Sequence, residues 1–65
     1  MKVREYREKA KLTQSYVADK LGISQQAYSK KEIGDRGFNA KELLLLERIL
    51  KVTFAEMFGD LLKDK

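Results

Sequence analysis

A chain of 65 residues with no cysteine and no histidine has no disulfide framework, no thiolate or imidazole metal site and no imidazole catalysis. So short a chain buries only about 60% of its unfolded surface, and its core supplies on the order of 3–5 kcal/mol. The expectation is one domain over residues 1–65. With 43% hydrophobic and 37% charged residues, and no proline, the composition is that of a small helical domain rather than a disordered tail. No apolar run approaches the ~20 residues of a membrane span, and the opening MKVREYREK is no signal peptide. A cytoplasmic location is expected. The net charge of +4 is uneven: residues 1–36 hold nine Lys/Arg against five Asp/Glu, and the remainder holds five of each. A polyanion-binding face has this bias, and so does a small domain that needs charge for solubility.

Residues 2–10 have helical spacing, with Val3, Tyr6 and Ala10 inward and Arg7 beside that stripe. Lys11 and Leu12 connect to Thr13, a natural N-cap. A second helix follows from Gln14 to Leu21, with Val17, Ala18 and Leu21 on one face. Gly22 stops it, because glycine adopts the left-handed conformation after a helix at little cost. Ile23 plugs the turn, and Ser24 caps a third helix over residues 25–33. In that helix Ala27 and Tyr28 face inward, and Gly34 is a second stop. Two short helices crossing at a small residue, Ala18, follow the logic of a helix-turn-helix, whose second helix enters the major groove of DNA.

Residues 34–38 form a loop, in which Arg36 suits a phosphate contact and Phe38 packs inward. Asn39 followed by Glu42 is a capping-box arrangement opening a fourth helix that runs to about Lys51. Leu43, Leu44, Leu46, Ile49 and Leu50 supply core. Four consecutive leucines cover most of a helix circumference, so one of them, Leu45, is expected to face out. Thr53 caps a fifth helix with Glu56 three residues on; Met57 and Phe58 pack, and Gly59 ends it. Leu45, Phe54, Leu61 and Leu62 exceed what so small a core needs. They either meet a partner or staple the C-terminal helix down.

In full order, Arg7, Leu12-Thr13-Gln14, Val17-Ala18, Leu21-Gly22-Ile23-Ser24, Tyr28-Ser29 and Glu32 followed by Gly34 resemble the helix-turn-helix of the Cro and phage-repressor type, the XRE-like family. Leu43-Leu44, Leu46, Leu50, Val52 and Phe54 continue the likeness, which covers residues 3–58. It implies an all-α, compact five-helix, lambda-repressor-like DNA-binding domain with the helix-turn-helix at helices 2 and 3. It implies a structural ion pair between Arg7 and Glu32, the alternative for Arg7 being a phosphate contact. By the same likeness Gln14, with Thr13, Ser24 and Arg36, contacts DNA phosphates, unless Gln14 is only a surface residue. The exposed positions of the third helix, Gln25, Gln26, Ser29 and Lys30, are the candidates for base contact. A glutamine amide donates and accepts at once and so matches the N6 and N7 of adenine. A plain polar helix face accounts for the same residues. Ala27 could meet a thymine methyl or simply pack, and Lys30 a guanine or a phosphate. Three positions depart from the family pattern: Lys31 is usually apolar, Ile33 usually polar and Glu47 usually small and apolar.

The expected function is a sequence-specific regulator that binds double-stranded DNA, a small dimeric repressor of phage or mobile-element type on a palindromic operator. The homodimer would form through Leu45, Phe54, Leu61 and Leu62. No catalytic residue, cofactor, metal or small-molecule ligand is expected, and no membrane. The alternative is a protein-interaction module of the same fold, antitoxin- or adaptor-like, that uses the Leu/Phe-rich C-terminal surface.

Overall fold

In the computed structural model, which describes residues 2–34 and 37–62 (the last three through their backbone alone), four helices begin on a side chain that captures a free amide. The five elements are α1 (Val3–Lys9), α2 (Gln14–Leu21), α3 (Gln25–Glu32), α4 (Ala40–Leu50) and α5 (Phe54–Leu62). Thr13 Oγ1 accepts from the Tyr16 amide at 3.0 Å, and Ser24 Oγ from the Ala27 amide at 3.1 Å. Asn39 and Glu42 form the reciprocal capping box at 2.8 and 3.0 Å. Thr53 and Glu56 repeat it at 3.1 and 2.8 Å. Such caps are worth about 1 kcal/mol each, a large share of the stability of so small a domain. α1 has no capping side chain. Its entry is held instead by the Lys2 amide, which donates to the Met57 carbonyl at 2.8 Å and so joins the start of the chain to α5.

The core is a single cluster. Val3 of α1, Val17, Ala18 and Leu21 of α2, Tyr28 of α3, Leu46 and Leu50 of α4, and Met57 and Phe58 of α5 are all buried. α2 lies against both α3 and α4, while α1 packs on α5. Tyr6, Leu12, Ile23, Phe38, Leu43, Leu45, Ile49 and Val52 close the periphery. Phe38 lies against the Tyr28 ring, centroids 6.0 Å apart.

Four expectations need correction. Ala10 is exposed, because α1 ends at Lys9 before the stripe comes round again. Leu44, not Leu45, is the outward leucine, at 52% exposure, and Leu45 is half-buried against the core. The run of four leucines left the helix phase open, and packing against the other helices selected it. α3 ends at Glu32, with Ile33 as its C-cap. α5 continues through Gly59 to Leu62. A mid-helix glycine costs only about 1 kcal/mol, too little by itself to stop a helix.

Gly22 has φ +76°, and a Cβ added there would meet nothing within 4 Å. The cost of a side chain is therefore conformational alone. Gly22→Ala should lower the unfolding free energy by about 1–2 kcal/mol in a urea titration, with no change in the shape of the folded circular-dichroism spectrum. The two leucine environments give a second test. Leu46→Ala should cost about 2–5 kcal/mol, comparable to the whole stability of the domain, and leave the chain largely unfolded at 25 °C. Leu44→Ala should stay within about 0.5 kcal/mol of the parent.

Candidate nucleic-acid interface

The surface formed by α2 and α3 is positioned by one buried anion. The Glu32 side chain, 1% exposed, lies at the end of α3. Arg7 Nε donates to its Oε2 at 2.7 Å and Nη2 to its Oε1 at 3.3 Å. The Tyr28 hydroxyl, one turn earlier on the same helix, donates to Oε2 at 2.6 Å. Gln14 Nε2, at the start of α2, donates to Oε1 at 2.9 Å. The remaining guanidinium nitrogen, Arg7 Nη1, donates to the Leu12 carbonyl at 2.8 Å and so holds the segment leading into α2. Among the described residues no buried side-chain nitrogen or oxygen lacks a partner.

The electrostatics follow from this geometry. Burial pushes the Glu32 carboxyl up, but the bonds from Arg7, Tyr28 and Gln14 outweigh it and hold the group below the usual carboxylate range. Burial, and then donation to Glu32, push the Tyr28 hydroxyl well above the usual tyrosine range. The Arg7 guanidinium is raised by its hydrogen bonds to Glu32.

With Tyr28 and Glu32 turned inward, the opposite face of α3 is presented outward. Gln25, Gln26 and Lys30 are exposed and Ser29 is half-buried. Ala27 is half-buried beside them. Thr13 and Ser24 are exposed at the two helix starts; each hydroxyl oxygen accepts a capping bond and keeps its O–H to give. Gln14 is half-buried, and one of its amide hydrogens is committed to Glu32. Its role in the Glu32 site was not foreseen, nor was that of Tyr28, although the four-residue spacing of Tyr28 and Glu32 places them on one helix face. Arg36 lies outside the described residues, as do the side chains of Leu61 and Leu62.

The polar departures have structural roles. Lys31 Nζ lies 3.3 Å from Glu42 Oε1 and donates to the Gly37 carbonyl at 3.1 Å, joining α3 to the start of α4 across a largely buried contact. Glu47 Oε2 accepts from the Phe54 amide at 2.6 Å, adding an acceptor to the start of α5. Nothing in single-chain periodicity announces the Glu47 contact, which joins two helices through a turn. Ile33 has no such contact: it is 73% exposed. Phe54, one of the expected interface residues, is partly exposed and stacks on Phe58 at 4.9 Å.

Among the described residues no group of His, Cys, Asp or Glu could hold a metal ion, and no helix is long and apolar enough to cross a membrane.

Five helices, with a capped α2–turn–α3 pair whose outer face is polar, define a helix-turn-helix domain. Residues 3–57 match the model of a helix-turn-helix family, and the chain belongs to the XRE-type helix-turn-helix family, a class of DNA-binding domains rather than enzymes. It is similar to an uncharacterized HTH-type transcriptional regulator, YqaE, of Bacillus subtilis (strain 168), with 41% identity over 51 residues. That stretch is 78% of this chain but only 44% of the relative, so the chain spans less than half of the relative's length. No solved structure gives a significant match.

The Glu32 site predicts a pH dependence. Because the folded carboxyl lies below its unfolded value of about 4.3, its contribution is complete above that value and is lost as pH falls through the folded one. Glu32→Gln should cost about 3–5 kcal/mol at pH 7, since it leaves Arg7 buried and unpaired. The variant should also lose part of the wild-type decline in stability below about pH 4.3, measured by thermal melts across pH 3–7.

Proposed function

We propose that the protein is a sequence-specific, DNA-binding transcriptional regulator that lays α3 in the major groove. The observation that carries this reading is the opening turn of α3. Gln25 and Gln26 project exposed amides there, from a helix whose rotation is pinned by the Glu32 site on its inner face. Base contact comes from this part of a recognition helix, and an amide pairs with adenine through two hydrogen bonds. Family membership and the similarity to a transcriptional regulator support the same class.

The finer reading is a small repressor of phage or mobile-element type, acting as a homodimer on a palindromic operator. Two copies would place their α3 helices one turn of DNA apart, about 10 base pairs, and obstruct polymerase sterically. Ser29 and Lys30 continue the base-reading face. Thr13, Gln14 and Ser24 flank it as phosphate contacts, Gln14 through the amide hydrogen that Glu32 leaves available, and Arg36 is a further phosphate contact proposed from the sequence alone. The twofold contact would form through the exposed Phe54, with Leu61 and Leu62 as partners proposed from the sequence alone. Leu45 is half-buried against the core, which leaves less of it for that contact.

The test is fluorescence anisotropy with a duplex selected from a random library and a scrambled control, at several salt concentrations. The selected duplex should bind more tightly, and log affinity should fall linearly with log salt, the slope counting phosphate contacts. Gln25→Ala should relax preference at one base position by about 1–3 kcal/mol. Uniform loss across all base substitutions in both Gln25→Ala and Lys30→Ala would remove the base-reading assignment. A monomer in sedimentation, free and on DNA, would remove the dimer.

A further inference from the structure

The charge of residues 37–65 balances by count but not by position. The described acidic side chains there are Glu42, Glu47 and Glu56, and each accepts a hydrogen bond from a backbone amide, those of Asn39, Phe54 and Thr53. The described cations are Lys41, Arg48 and Lys51, all exposed and none in an ion pair with a described residue. Lys41, Leu44 and Arg48 share an arc of about 60° on α4, and Lys51 follows at the helix end, so the stripe is about 15 Å long. Leu44 lies between the cations and is 52% exposed. Helix stability does not account for this charge. Lys41 stands in the first turn of α4, where a cation opposes the helix dipole. Lys51 is the left-handed C-cap, at φ +58°, a conformation that glycine adopts at less cost.

The stripe also faces away from the recognition helix. Glu42, through which α4 meets Lys31 of α3, lies about 160° around the helix from Leu44. A duplex held by α3 therefore leaves this face open, and a leucine has nothing to offer a phosphate. A second copy of the stripe is no better suited, because a twofold contact would set like charges against one another around the leucines. An apolar residue ringed by charges of one sign has the makeup of an interface centre and rim for a partner of the opposite sign.

We propose that the outer face of α4 is a docking surface for an acidic segment of another protein, which seats an aliphatic side chain on Leu44 and carboxylates on Lys41, Arg48 and Lys51. This goes beyond the DNA-binding reading and does not depend on it. The α3 face stays free, so one molecule can hold both partners at once.

Selection from a random peptide library on the immobilised full chain tests it. Enriched peptides should carry several carboxylates around an aliphatic residue, and their binding should weaken as salt rises. Lys41→Glu combined with Arg48→Glu should weaken them by about tenfold or more, and Leu44→Ala by about tenfold. Both variants should melt within a few degrees of wild type, because the altered side chains are exposed. No enrichment, enrichment of peptides without net negative charge, or equal binding by wild type and the charge-reversed variant would overturn the proposal. A shallower salt slope of duplex binding in the charge-reversed variant would place the stripe on phosphates, and a change in sedimentation with Leu44→Ala would make it a contact between copies; either result overturns it as well. Failure of wild type to bind any duplex would remove the regulator reading, while the peptide selection would still decide this one.

Discussion

A carboxylate removed from water survives only if nearly all of its lone-pair directions are satisfied, and Glu32 meets that demand from three parts of the chain. Arg7 comes from α1, Gln14 from the start of α2 and Tyr28 from α3 itself. The desolvation penalty of a buried ion is several kcal/mol, comparable to the whole stability of a domain this size. The folded state is therefore committed to assembling all the donors together. The consequence for function is rotational. Fixing Tyr28 and Glu32 inward fixes which residues of an eight-residue helix face outward, and the guanidinium bond to the Leu12 carbonyl orients the entry to α2 in the same act.

Two further polar contacts extend this pattern of joining elements through directional bonds. Lys31 links α3 to the capping box of α4 through Glu42, and Glu47 holds the first amide of α5. An apolar pair of similar size could match or exceed such contacts in stability. Charge pairs, however, have distance and angle requirements that leucine contacts lack. In a core with few large side chains they supply definition where hydrophobic contact alone would permit sliding. They also free the outer face of α3 from any structural duty, so its residues can be chosen for recognition.

Much of the architecture was legible from local signals because its causes are local. Thr13, Ser24, Asn39 and Thr53 cap the amides that follow them, and Gly22 adopts its positive φ for reasons contained within a few residues. The pairing of Arg7 with Glu32 was reached through resemblance, since nothing in the intervening sequence brings two residues 25 positions apart together.

What the sequence determined by itself was the number of helices, their starts and the identity of the helix-turn-helix, all set by capping chemistry and 3.6-residue periodicity. Only the tertiary structure decided the phase of α4, where four leucines left Leu44 and Leu45 indistinguishable until neighbouring helices covered one and not the other. It decided that α5 runs through Gly59, because the penalty of one glycine is too small to force a helix end. And it committed one amide hydrogen of Gln14 to Glu32, because a buried charge draws in donors that lie within reach only once the helices have come together.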